Sequence, residues 1–382
     1  MLLGEGLSSL SASKFDPKVE VTVATPTAAG DFDDSRLGFR VVRQPNLFDL
    51  ARLVNRADIV QLAGPCFLPL LLGWLFSKPV VVEHHGYAAS CPNGLLFHEP
   101  TQTVCPGHFL AGHYRECCRC NAGTMGWLRS LRLLLLAFPR RWLCQRVAAN
   151  TPISAHVQRR LDLHSSQVIY YGIPEDPAGA GLQIINSSKE TSLCFAYVGR
   201  LVSLKGLPLI LEAAKTLQEE GYNFRLKFIG DGSEQTLLKS MTAELGLARH
   251  VEFTGFLTGD AFRSAMNDVA VVLMPSVCEE TAGLAAIEQM MRGRLVIASD
   301  IGGLGEVVGD GGLRFPPGQV NALAQRMRSA LESPEIIVQY GIAARRRALD
   351  LFSEQRMVKE YFDLYRRVTG FDETDPKARH AL

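Results

Sequence analysis

Two glutamates, Glu280 and Glu288, bracket the small, apolar run "ETAGLAAIE". An ionised carboxylate only accepts hydrogen bonds, so each can hold a pair of vicinal hydroxyls, a feature shared by ribose and hexoses. Arg200 and Lys205 stand close together in "GRLVSLKG". Cations so placed suit a diphosphate, above all where glycines let the backbone approach and a helix start offers unpaired N–H groups. Gly283 and Leu284 are predicted to open such a helix, which runs to Arg292 and is capped by Gly293. Glu280 then lies in the loop before the helix and Glu288 about a turn and a half inside it. The competing reading is an acid complementing the helix dipole plus one solvated glutamate. The apolar neighbours Leu284, Ile287, Met290 and Met291 argue against a solvated Glu288.

These residues follow short β-branched runs that alternate with amphipathic helical patterns. "VEVTVAT", "ADIVQLA", "KPVVVEH" and "SQVIYYG" read as strands of a first half. "SLCFAYVG", "FRLKFIGDG", "HVEFTGFL", "VAVVLMPS" and "RLVIASD" read as strands of a second. "KGLPLILEAAKTLQEEG" and "GSEQTLLKSMTAELGL" read as covering helices, and "FLPLLLGWLFSKPVVVE" as a buried helix, a turn and a strand. The alternation predicts an α/β protein with doubly wound parallel sheets, and 382 residues suit two such domains. Ligands of open α/β sheets bind beyond the carboxyl ends of the strands, where Arg200, Lys205 and Glu280 all fall.

Net charge is +1, so the chain as a whole has no pull on nucleic acid and no nucleic-acid partner is expected. Locally the balance differs. No acid occurs between Glu116 and Asp162, while Arg119, Arg129, Arg132, Arg140, Arg141, Arg146, Arg159 and Arg160 do. Such a segment suits a phosphate-rich partner or an anionic membrane surface, against the plainer reading of a solvated helix face. The start "MLLGEGLSSLSASKFD" lacks the features of a secretory signal. Nine cysteines in that setting point to thiols or metal ligands in a reducing compartment. Cys117 and Cys120 form a Cys-x-x-Cys pair, which with Cys91 and Cys105 would make a four-thiolate structural zinc site. His98, His108 and His113 are alternative ligands, and a set of buried thiols without metal is the other reading.

"YVGRLVSLKG", "FIGDGSE", "VEFTGFL" and "PSVCEETAGLAAIEQMMRGRLVIASDIGGLGEVV" together resemble the nucleotide-binding half of the retaining glycosyltransferases of family 4. "FSEQRMVKEYFDLYRRV" resembles that family's closing helix. The likeness runs closely from residue 150 to 370 and more loosely from 18 to 120. It implies a GT-B architecture, two Rossmann-like domains facing a cleft. The acceptor-side domain would occupy 1–173 with a Cys-rich insertion at 91–120, followed by a linker at 174–192. The nucleotide-sugar domain would occupy 193–351, a crossover helix 352–370 and a tail 371–382. By resemblance Glu280 holds donor-sugar hydroxyls, Glu288 the ribose, Arg200 and Lys205 the diphosphate, and the backbone at Gly283 and Leu284 adds N–H donors. In "VVVEHHGYAASCP", His85 matches the histidine beside the donor sugar, with His84 as the competing candidate.

The resemblance implies hexose transfer with retention of configuration from a UDP-, GDP- or ADP-linked donor, with no cofactor needed for catalysis. The acceptor would be a glycan or lipid-linked glycan of polysaccharide or glycoconjugate synthesis, met in the cytoplasm or at the inner face of the membrane. The alternatives are a nucleotide-sugar epimerase or phosphorylase-like enzyme of the same fold, and a homologue that binds nucleotide or a partner without turnover. The chain departs from the family at Tyr171, where asparagine is common, and at Ala282, where an aromatic is common. Its first strand and Gly-Gly loop are expected to be missing, since the chain opens within what resembles the following helix.

Overall fold

The computed structural model describes residues 20–28, 33–175 and 192–370. The first 19 residues, most of the segment read as a linker (176–191) and the tail from 371 lie outside the described residues. The strands, in chain order, are β1 (Thr22–Thr25), β2 (Arg40–Arg43), β3 (Val60–Ala63), β4 (Val80–His84), β5 (Phe97–His98), β6 (Thr103–Val104) and β7 (Ala149–Pro152). Then follow β8 (Leu193–Val198), β9 (Phe224–Ile229), β10 (Val251–Gly255), β11 (Val269–Met274), β12 (Leu295–Ser299) and β13 (Leu313–Phe315).

The second half is a six-stranded, wholly parallel sheet in the order β10-β9-β8-β11-β12-β13. The chain winds outward one way from β8 and then the other way from β11, which makes the β8/β11 boundary the topological switch point. Continuous apolar runs explain the burial: every residue of β11 and β12 is buried, as a strand covered on both faces requires. Helix Pro208–Glu219 covers one face, presenting Ile210, Leu211, Ala214 and Leu217. Helix Leu284–Met291 covers the other with Ala286, Ile287, Met290 and Met291, at the helical period of an amphipathic face.

In the first half, β3-β4-β7 form a parallel sheet with β4 fully buried at its centre. The parallel pair β1-β2 has no ladder to β3 among the described residues. Helix Pro334–Phe352 packs on the second half through Ala344, Ala348 and Phe352. Helix Glu354–Thr369 follows at once and packs on the first half, where Tyr361 and Leu364 meet Val81, Ala149 and Ile169.

Several sequence expectations need correction. "SQVIYYG" is not a strand; it lies beside β7 through Gln167 N to Asn150 O and Ile169 N to Pro152 O. The strand at that place is the polar "ANTP" of β7, held by side-chain bonds that propensity does not foresee. Thr151 Oγ1 donates to Val82 O, and the Asn150 side chain joins His84. The helix Phe67–Leu75, read as buried, buries only Leu70, Leu72 and Gly73, while Trp74 and Leu75 are 49% and 56% exposed.

Candidate active site

The residues that follow β8 and β11 meet at the switch point. β8 ends at Val198, and Gly199-Arg200 lead into the short turn Ser203–Lys205. β11 ends at Met274, and Pro275–Ala282 form the loop that enters helix Leu284–Met291. Gly206 ties the two loops closely: it has φ +62°, and a Cβ there would stand 2.3 Å from Pro275 O. Lys205 Nζ lies 2.9 Å from Glu280 Oε1, with the two side chains 20% and 10% exposed. Ser276 Oγ donates a short hydrogen bond to the same carboxylate oxygen. The half-buried ion pair therefore holds both side chains at the mouth of the sheet.

Helix Leu284–Met291 begins as the sequence predicts. Gly283 is its N-cap in the left-handed region (φ +75°), and no side chain caps the first turn. Those first N–H groups are therefore available to an anion. Glu288 lies in this helix, and burial raises its carboxyl above the ordinary range, partly offset by Arg292. The 302–303 glycine pair closes the other side of the loop. A Cβ on Gly302 would stand 2.6 Å from Glu280 O, and one on Gly303 2.1 Å from Thr281 O. Gly303 N donates to Glu280 O at 2.6 Å, which fixes the backbone of the glutamate whose side chain meets Lys205.

In the first half the two adjacent histidines are placed differently. His84, fully buried, pairs its Nε2 with Asn150 Oδ1 at 2.8 Å, and burial lowers its pKa to about 4. His85, just past β4, is only partly covered; burial lowers it to about 4 as well, so the ring is neutral near pH 7. Tyr171 stacks on it with ring centroids 5.3 Å apart and forms a short hydrogen bond to Nδ1. The departure at Tyr171 is thus a contact with the candidate histidine itself. Two residues on, Tyr87 donates from its hydroxyl to Glu279 O at 3.2 Å, so the chain leaving β4 reaches the Glu279–Glu280 loop. Ala282, the other departure, is buried against the first-half core.

Two acids that carried no assigned role in the sequence join the halves. Glu279 points away from Glu280's partner and meets Arg160 Nε at 2.9 Å and His156 Nε2 at 3.4 Å. Burial would raise its carboxyl, but the His156 and Arg160 contacts outweigh that and hold it below the usual range. Glu306 accepts from the N–H groups of Ala155 and His156, each at 2.7 Å, and from Tyr170 Oη at 2.8 Å. It thereby caps the N-terminus of helix Ala155–Leu161 from across the cleft. The available signal was an acid in the first turns after "DIGG", which has no distinctive spacing.

The structure thus brings Lys205, Glu280, Gly283, Leu284 and Glu288 into one loop-and-helix unit, with Arg200 exposed at the end of β8 and His85 on the opposite half. Cys91, Cys105, Cys117 and Cys120 form a separate group around one cavity. Residues 183–347 match the family described as Glycosyl transferases group 1. The 2-deoxystreptamine glucosyltransferase of Streptomyces kanamyceticus is 30% identical over 251 residues, 62% of this chain and 65% of that protein. The D-inositol 3-phosphate glycosyltransferase of Corynebacterium urealyticum is 31% identical over 193 residues, 48% of this chain and 45% of that one. The matches therefore span less than two thirds of these curated relatives. Among solved structures, the Anabaena protein Alr3699/HepE in complex with UDP-glucose superposes with a TM-score of 0.68 at 16% identity, covering 97% of this chain and 96% of that one. Sucrose-phosphate synthase from Thermosynechococcus elongatus gives 0.67 at 19% identity, covering 96% and 92%. These likenesses show the GT-B fold.

Proposed function

We propose that this chain, a member of the glycosyl transferases group 1 through its residues 183–347, transfers a hexose from a nucleotide-sugar donor to a glycan or lipid-linked acceptor. The observation that carries the reading is the Lys205–Glu280 pair beside an uncapped helix N-terminus at the switch point of the second sheet. Solved structures of the same fold were obtained with UDP and with UDP-glucose, which supports a donor of that class.

In this reading Lys205, Arg200 and the first N–H groups of helix Leu284–Met291 surround the diphosphate. They offset the charge that grows on the departing phosphate oxygen, the role such donors play in a preorganised site. No divalent cation is then required for the transfer. Glu288 accepts from ribose hydroxyls, and Glu280 from donor-sugar hydroxyls once a ligand competes with Lys205 and Ser276 for its carboxylate. His85, neutral, adds a hydrogen bond to the sugar from the facing half once a ligand competes with Tyr171 for its Nδ1, since its buried Nε2 is turned to Glu83, 3.7 Å away. The bond from the anomeric carbon to the phosphate oxygen breaks, and the acceptor hydroxyl attacks on that same face. Its proton passes to the leaving phosphate oxygen, so configuration is retained without a protein base.

The acceptor side carries an exposed apolar and basic face. Leu128, Trp127 and Leu135 of helix Trp127–Cys144 are 87%, 62% and 60% exposed, next to the exposed Arg129 and Arg132. Trp74 meets Trp142 edge-on, which continues the face onto helix Phe67–Leu75. No helix among the described residues is long and apolar enough to cross a membrane. The exposed apolar and basic face supports peripheral attachment to an anionic membrane surface, with a lipid-linked acceptor within reach.

The test is turnover. The full chain, given UDP-, GDP- and ADP-sugars with and without glycan acceptors, should release nucleoside diphosphate from one donor series, faster with acceptor. The product should keep the donor's anomeric configuration by NMR. Release of diphosphate with inversion would contradict the mechanism, and no release from any donor would contradict the function.

A further inference from the structure

The stretch between β4 and helix Trp127–Cys144 builds, besides helix Tyr114–Met125 and one 3-10 turn, only a small hairpin. Its hairpin β5-β6 has two residues per strand, a size that is marginal in water unless something else holds it. Yet four thiols from three separate parts of this stretch converge. Cys91 comes from the loop after β4, Cys105 directly follows β6, and Cys117 and Cys120 come from helix Tyr114–Met125. All four line one small cavity, all are at most 8% exposed, and none is in a disulfide. Cys117 and Cys120 share a helix face by their spacing of three. Cys118, between them, is absent from the cavity lining and packs with Phe109, Leu134 and Ala137.

The geometry points to a structural zinc site with Cys91, Cys105, Cys117 and Cys120 as its four ligands. This site is independent of the donor-binding reading. Thiolates are soft donors, and four of them with no open position select zinc in a closed tetrahedral shell. A second observation marks the same cavity: His98, 7% exposed, lines it with a ring Nε2 that has no hydrogen-bond partner. His98 Nδ1 is engaged by Thr101 Oγ1 at 2.8 Å, so the ring is held with Nε2 toward the cavity side and Glu116, 3.6 Å away. Arg140 places a cation at the rim, donating from Nη2 to Cys91 O at 3.2 Å, where it would offset the net negative charge of a four-thiolate zinc centre.

As placed, Cys91 Sγ donates to Asn93 Oδ1 at 3.0 Å and Cys120 Sγ to Phe97 O at 3.3 Å. Among the described residues no three His, Cys, Asp or Glu side chains already stand in a metal-holding arrangement. Binding therefore requires the thiols to turn from these weak S–H bonds onto the shared cavity. Four thiol protons leave to solvent as four zinc–sulfur bonds form, with no change of oxidation state. The gain is a staple across a segment that joins β4, the strand carrying His84 and leading into His85, to the basic helix.

The experiment is elemental analysis of the full chain purified without chelator, with cobalt(II) reconstitution of chelator-treated protein. Expected are about one zinc per chain and the visible absorption of a tetrahedral cobalt–thiolate centre. Cys117→Ser and Cys120→Ser should each lower bound zinc at least tenfold, while Cys118→Ser keeps it. If the ligand variants do not yield folded protein, the cobalt spectrum of the unsubstituted chain decides. Absence of both zinc and the cobalt–thiolate spectrum would overturn the proposal, as would stoichiometric iron in its place or equal loss of metal in Cys118→Ser.

Discussion

Lys205 and Glu280 neutralise each other in a half-buried setting, so a ligand that separates them must offer each a better partner. A diphosphate draws on Lys205 and sugar hydroxyls on Glu280, so a donor that carries both engages each. Losing Lys205 as Lys205→Ala should therefore cut turnover by about a hundredfold or more, the usual loss for one preorganised donor on developing charge. Glu288→Gln should act mainly on donor KM, because a ribose contact is made equally in the ground and transition states. Steady-state kinetics on the two variants checks this, and an unchanged kcat/KM in Lys205→Ala would remove it from the site. Glu83 is 2% exposed, and burial raises its carboxyl to about 7 against hydrogen bonds from Tyr361 and Gln61 that pull it down. The folded chain holds this proton more tightly than the unfolded one. Its contribution is full below about pH 4.5 and is lost as pH rises through about 7, about 3 kcal/mol in all. His84, lowered to about 4, works in the opposite sense: its contribution is full above about 6.5 and is lost as pH falls toward 4. Glu83→Gln should thus raise the melting temperature at pH 8 and give a smaller gain at pH 5. A variant that melts lower at pH 8 would show that the carboxylate is better satisfied than its burial implies.

At the scale of elements, much was legible where one residue pattern had one cause. β8, β11 and β12 announce themselves as apolar runs because both faces are covered, and helix Leu284–Met291 because Gly283 and Gly293 punctuate an apolar face. β7 was not legible, since "ANTP" is a strand only by courtesy of β4 and the His84–Asn150 bond, a contact between residues far apart in sequence. The same applies to Glu279 and Glu306, whose partners on helix Ala155–Leu161 are set by how the halves face each other. Tyr171 was visible as a departure, but its bond to His85 was not. Helix Trp127–Cys144 reads correctly as basic and apolar from sequence, and the structure adds which side is left uncovered. From that uncovered side, sedimentation with anionic vesicles at low salt should capture the chain, and neutral vesicles should not. Replacing Trp127 and Leu128 with serine should release it by at least severalfold. Equal recovery with both vesicle types would assign the face to something other than an anionic bilayer.

For the whole molecule, the described residues join the two halves through the Glu279 and Glu306 clamps, Tyr87 Oη donating to Glu279 O, Ser154 Oγ donating to Thr281 O at 2.6 Å, Ala282 packed on the first-half core, and the consecutive helices that end at Thr369. The contacts of Glu279, Thr281 and Ala282 all fall on the loop that carries Glu280. Any ligand of that loop is thereby felt by both halves, and the arrangement makes sense for a donor bound between them. Calorimetric titration of the full chain with UDP, GDP and ADP tests donor binding at this loop directly. One of the three should bind with one-to-one stoichiometry, and Arg200→Ala and Lys205→Ala should each weaken it at least tenfold. Failure of all three to bind, or binding that neither substitution alters, would show that this loop does not hold a nucleotide-sugar donor.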